Sequence, residues 1–155
     1  MLSFAWSQKY SVGIPAMDAQ HRELVSLLNQ IQNAILSGHS DGVTWELLDR
    51  LALYTVRHFK AEEALMSAVD YPEVVSHCQA HRKLTERVEQ FIATREAGSS
   101  VHNFEMAEFL SDWLNHHILG SDKLYGEWIL LRESTTEPSE QASDDPGLCS
   151  TVTLA

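Results

Sequence analysis

Apolar residues recur along this chain in steps of three and four, the spacing of one face of an α-helix. The first such stripe is His21, Leu24, Leu28, Ile31 and Ile35, with Asp18 as its predicted N-cap and Gly38 as its stop. Ser40, Asp41 and Gly42 read as a loop, with Asp41 or Thr44 capping the next helix. That second helix carries Leu48, Leu51, Thr55, His58, Glu62 and Leu65 and runs to about Ala68. Asp70-Tyr71-Pro72 breaks it, and a proline suits the first turn of the helix that follows. The third stripe is Val74, His77, His81, Leu84, Val88 and Phe91, closed by Gly98-Ser99-Ser100. The fourth holds Met106, Leu110, Trp113 and His117 and continues through Trp128 and Ile129.

No segment shows the strict alternation of a half-buried strand. Four amphipathic helices joined by short loops predict an all-α, up-down-up-down four-helix bundle over residues 18–133. Residues 1–17 read as an N-terminal arm whose Trp6 and Tyr10 pack on the bundle. Residues 134–155 are rich in Ser, Thr, Glu and Asp and read as a flexible tail.

The stripes are unusual in what they would bury. His21, His58, Glu62, His77, His81 and His117 all stand at core positions, and Asp122 follows on the fourth helix. A lone buried histidine is ordinarily a hydrogen-bonded core residue. Five imidazoles and two carboxylates converging in one small bundle need a compensating charge, and a metal centre supplies it. Imidazole nitrogen excludes calcium and magnesium and suits iron, zinc, copper or nickel. Seven ligands exceed the four of one tetrahedral zinc and suit two ions bridged by Glu62 and Asp122. Two irons are the natural assignment, while the ligand list alone leaves zinc and manganese open.

One spacing breaks the helical rule. His117 and Asp122 are five residues apart, about 140° around an ideal helix. A shared centre therefore predicts a distorted or π-type turn near Gly120. The remaining histidines are expected in solvent: His39 and His102 in loops, His116 one position off the buried face. Cys78 should face away from the metals, and Cys149 should be exposed in the tail.

Charge and composition narrow the class. The 155 residues carry a net charge of −11, which argues against nucleic acid or an anionic membrane as partner. Two cysteines make no disulfide framework, so a reducing, cytoplasmic location is the default. No secretion signal and no run of apolar residues long enough to span a bilayer is evident.

Four groups of residues together resemble the hemerythrin family, bacterial hemerythrin-like proteins in particular. They are Gly13-Ile14 with Asp18-Ala19-Gln20-His21; His58-Phe59-Lys60-Ala61-Glu62-Glu63 with Met66; Tyr71-Pro72 with His77 and His81; and Trp113-Leu114-Asn115-His116-His117-Ile118 with Asp122. The resemblance spans nearly all of the predicted bundle and leaves the tail outside. It implies a non-haem di-iron site that binds O2 reversibly. One iron would be held by His77, His81 and His117. The other would be held by His21 and His58, with one position open. Glu62, Asp122 and a solvent-derived oxo or hydroxo group would bridge them. In the family O2 binds end-on at the open iron and is reduced to hydroperoxide with a proton from the bridge.

The residue types agree with carriage rather than oxygen activation. Five neutral imidazoles and two carboxylates place less negative charge on the irons than a four-carboxylate site, which disfavours high oxidation states. Leu24, Phe59, Leu114 and Ile118 lie one or three positions from a ligand and are placed to wall an apolar O2 pocket. The expected role is therefore an O2 carrier, store or delivery protein, not an enzyme, with an unidentified protein as a conceivable recipient. Two alternatives stay open: a di-iron oxidase, peroxidase or nitric oxide reductase, and a sensor in which the tail or a surface patch passes the iron state to a partner.

Overall fold

The structure, a computed structural model, describes residues 4–96 and 103–136. Four helical rods account for almost all of it, and no strand occurs among the described residues. Helix α1 spans Pro15–Leu36, α2 Asp41–Ala68 and α3 Val74–Glu96. The fourth rod is compound: α4 over Asn103–His117, a π-helical turn over Ile118–Asp122, and α5 over Lys123–Thr136. Helix α1 packs on α2 and α4, and α2 packs on α3.

The first helix starts three residues before the predicted cap. Ile14 occupies the N-cap position and Pro15 the first helical one, where a missing N–H costs nothing and φ is already helical. Asp18 is instead a buried first-turn residue, close to the positive end of the helix dipole. Its carboxylate accepts hydrogen bonds from Ser11 Oγ at 2.5 Å and from the Val12 amide at 2.7 Å. The acidic residue thus ties the arm to α1 rather than capping it. At the other end Gly38 does stop the helix: its φ of +65° turns the chain left-handed, and the His39 amide bonds back to the Ala34 carbonyl. Helix α2 begins after Ser40, and the Asp41 carboxylate accepts a bond from Asn103 Nδ2 at 2.8 Å, linking the starts of two rods. Pro72 lies in the turn ahead of α3, not inside its first turn.

The arm is part of the packed structure. Phe4, Tyr10 and Val12 are buried, Phe4 and Asn29 exchange two hydrogen bonds, and the Tyr10 hydroxyl donates to Asn115 Oδ1 at 2.9 Å. Val12 rests on the fourth rod at Gly126, where an added Cβ would run into the Val12 carbonyl oxygen. Gly126→Ala is therefore expected to cost about 1–3 kcal/mol, as overpacking does. Thermal unfolding of the variant should show this as a fall of several degrees.

Two apolar layers fill the bundle. The larger includes Leu24, Leu28, Leu48, Leu51, Phe59, Leu84, Leu110 and Leu114; the smaller includes Met17, Met66, Tyr71, Tyr125 and Ile129. Three of the titratable core residues fall between these layers along the chain: His21 between Met17 and Leu24, Glu62 between Phe59 and Met66, Asp122 between Ile118 and Tyr125. The tail predicted over 134–155 begins as a continuation of α5 to Thr136; the rest of it, Cys149 included, lies outside the described residues, as do His102 and the predicted loop at Gly98-Ser99-Ser100.

Candidate metal centre

All seven residues singled out by the helical pattern meet in the middle of the bundle, each no more than 6% exposed. They form two groups that share Glu62. One is Glu62, His77, His81 and His117; the other is His21, His58, Glu62 and Asp122. Within the first, His81 Nε2 stands 3.1 Å from His77 Nε2 and 3.0 Å from His117 Nε2. The carboxylates reach both ways. Asp122 Oδ1 lies 3.3 Å from His77 and 3.1 Å from His117, while its Oδ2 lies 3.3 Å from His21. Glu62 Oε2 is 3.1 Å from His81 and 3.2 Å from His77, and Oε1 faces His21 at 3.8 Å.

The π turn puts Asp122 there. Wider winding over Ile118–Asp122 absorbs one extra residue, so His117 and Asp122 face the same centre despite their five-residue spacing. The turn makes no demand for glycine: Gly120 is exposed and nothing lies within 4 Å of where its Cβ would be.

Such a cluster is unfavourable without a cation inside it. Both ring nitrogens of His21, Oε1 of Glu62 and both oxygens of Asp122 have no hydrogen-bond partner although buried. Burial pushes His58 down to about 4. Burial also opposes protonation of His77, but the facing carboxylates of Asp122 and Glu62 overcome it and raise the group to about 9. Burial would raise Asp122, yet His117, His21 and His77 hold it well below the carboxylate range. Ionised carboxylates thus draw positive charge into a dry interior, and converging lone pairs offer it no single direction. The residues present fit a pair of transition-metal ions: the donors are nitrogen and oxygen, inward-facing, and too many for one ion.

A metal held by His77 would have to displace the proton that the residue otherwise keeps up to about pH 9. Apparent metal affinity is accordingly expected to rise by about tenfold per pH unit below that value, through this one group, and to level off above it. Chelator competition across the pH range would measure the slope.

Two of the imidazoles are held from behind. His58 Nδ1 donates to Gln20 Oε1 at 3.0 Å, and His81 Nδ1 donates to Glu63 Oε1 at 2.8 Å. Both bonds leave the Nε2 lone pair pointing inward, as a ligand requires. Ring stacking adds to this: Phe59 lies flat on His81 with centroids 3.6 Å apart, and Trp113 on His117 at 4.2 Å. Gln20 and Glu63 lie next to ligands in sequence but carry no periodic signal, so helical reading passes over them. Tyr125 is similar: wholly buried against His77, its hydroxyl unpartnered, and its pKa raised by burial and then by the nearby carboxylates.

Beside the cluster lies a cavity of about 30 Å3, lined by Leu24, Phe59 and Leu114 with Leu28, Leu84 and Trp113, and touching His58, His117 and Asp122. By the same measure a water needs about 10–15 Å3, so a small molecule fits. Ile118, the fourth expected wall residue, does not line it. As the first residue of the π turn it is wholly buried in the apolar core instead. His116 is exposed, its Nδ1 donating to the Asp112 carbonyl at 2.6 Å, and His39 is exposed in a loop. Cys78 is half-buried and its thiol meets Glu63.

Known proteins are similar to this chain. Residues 12–129 match the sequence model of the hemerythrin HHE cation binding domain. A bacteriohemerythrin of Stenotrophomonas maltophilia is 32% identical over 129 residues, covering 83% of each chain. One of Pseudomonas aeruginosa is 29% identical over 144 residues, 93% of this chain and 92% of the relative. A crystal structure of wild-type hemerythrin superposes with a TM-score of 0.74 at 28% identity, covering 80% of this chain and 95% of that one. With a family match over most of its length and a His/Glu/Asp cluster at the heart of the same bundle, the chain belongs to the hemerythrin family.

Proposed function

We propose that this protein is a non-haem di-iron protein that binds O2 reversibly, as a carrier, store or delivery protein. The observation that carries the reading is the unequal split of donors around two shared carboxylates. His77, His81 and His117 serve one ion and His21 and His58 the other, with Glu62 and Asp122 reaching both. The two-histidine half has one protein donor fewer, and the cavity beside the cluster is bordered by one histidine of each half, His58 and His117. An iron pair held by these residues together with a solvent-derived oxo or hydroxo group would supply the reversible electron exchange with O2 that no side chain can.

The chain's own part is to orient, exclude and hold. Gln20 and Glu63 hold two imidazoles in the tautomer that presents Nε2 inward. Leu24, Phe59 and Leu114 keep the cavity apolar, which leaves a charged oxygen species without solvation and so opposes its escape. That last point favours binding over turnover and sets the reading apart from an oxidase, a peroxidase or a nitric oxide-processing enzyme.

The deciding experiment is iron stoichiometry with an anaerobic-to-aerobic optical titration. Two irons per chain and a visible charge-transfer band that appears with O2 and vanishes on its removal are expected. Fast, irreversible oxidation of the diferrous protein in air would overturn carriage. His58→Ala should lose one iron and all O2 binding, whereas His116→Ala should lose neither.

A further inference from the structure

Glu63 stands just outside the cluster, on the partly exposed side of α2, and has no place in the ligand set. Its Oε1 lies 2.8 Å from His81 Nδ1. A carboxylate can only accept there, so His81 must carry its proton on Nδ1 and turn a bare Nε2 inward. Phe59, stacked flat on the ring with a 6° interplanar angle, blocks rotation about the other axis. His81 is thereby restrained in tilt, in spin and in tautomer. It is also central to its half, its Nε2 lying within 3.1 Å of both His77 Nε2 and His117 Nε2.

The corresponding group in the other half is different in kind. His58 Nδ1 donates to Gln20, a neutral amide. A carboxylate behind an imidazole draws its N–H proton outward and makes the opposite nitrogen a better donor, and an amide does so far less. The two halves are therefore unequal in the groups behind their ligands as well as in ligand number.

We propose that Glu63 is a positioning residue that acts through His81 and makes the three-histidine half the tighter metal site, leaving the Gln20-backed half the more exchangeable one. This rests on the metal reading above and assigns the order in which the two halves hold their ions.

Cobalt(II) is a suitable probe, since it takes the same donors and reports coordination in its visible bands without O2 chemistry. In a His58→Ala background the three-histidine half is left to be read by chelator competition. There Glu63→Ala is expected to weaken cobalt binding roughly 10- to 100-fold, the usual effect of losing such a partner. Glu63→Gln keeps an acceptor without the charge and should fall between. The loss should persist in high salt, which screens a mere through-space charge effect at this partly exposed position. Gln20→Ala should leave this constant unchanged, and in the two-ion protein should weaken only the other ion. The double exchange Gln20→Glu with Glu63→Gln should narrow or reverse the order of release.

An unchanged constant in Glu63→Ala, or a loss that high salt abolishes, overturns the proposal. Helicity by circular dichroism identifies a variant that has failed to fold, in which case Glu63→Gln, nearly isosteric, decides the matter. A parent protein that takes up no cobalt and no iron contradicts the metal reading itself, a result distinct from either of those.

Discussion

Replacing Glu62 with alanine is expected to abolish binding of both metal ions, a larger effect than any single histidine should have. Each histidine belongs to one half of the cluster, while the Glu62 carboxylate appears in both groups of donors. It is wholly buried, and its Oε1 has no partner in the protein. Burial and the neighbouring Asp122 charge oppose its ionisation, yet the facing imidazoles of His77 and His81 bring it down to about 2. Removing it would take away a negative charge placed to offset two cations, as well as the one oxygen donor common to both groups. Iron analysis should fall from two ions per chain to none, and the visible band should be absent. Glu62→Gln preserves the volume and removes only the charge, so it separates loss of the ligand from collapse of the site. Full retention of iron in Glu62→Gln would remove Glu62 from the ligand set.

Deleting Gly120 should be the most damaging single change to the fourth rod. The π turn gives α5 one residue more than a regular helix would allow. Without it α5 rotates by about 100° relative to α4. Asp122 then leaves the centre, and Tyr125 and Ile129 leave the smaller apolar layer. We expect loss of bound iron together with a large fall in the unfolding temperature of the iron-free protein. Asp122→Asn isolates the first effect, since it changes the ligand and keeps the phase of α5; its iron-free unfolding temperature should stay close to that of the parent. Gly120→Ala, by contrast, should be harmless, because the residue is exposed with open space at its Cβ. A Gly120 deletion that keeps two irons would show that the extra residue does not set the register of the site.

The four rods and their phase were legible because a buried helix face repeats every three or four residues whatever it packs against. The same repeat carried the five histidines and Glu62 into core slots, and their number made the bland reading of each one untenable together. The misplaced start of α1 has a local cause. Asp18 has the chemistry of an N-cap, but Pro15 offers an equally good first residue three positions earlier, and the contacts of the arm through Ser11 and Val12 settle the choice. Ile118 stands apart from Leu24, Phe59 and Leu114 for a related reason: closeness to His117 in sequence says nothing about direction inside a turn that is not α-helical.

By itself, then, the sequence determined the all-α architecture, the break in regularity between His117 and Asp122, and the core placement of five histidines and Glu62, since all of these depend on spacing along one helix. The tertiary structure alone decided that Glu63 and Gln20 back different imidazoles, and that Leu28, Leu84 and Trp113 share the cavity wall with Leu24. Those are relations between rods. They depend on how far each helix is shifted and turned against its neighbours, and side-chain packing across the bundle sets that, where periodicity along a single helix carries no record of it.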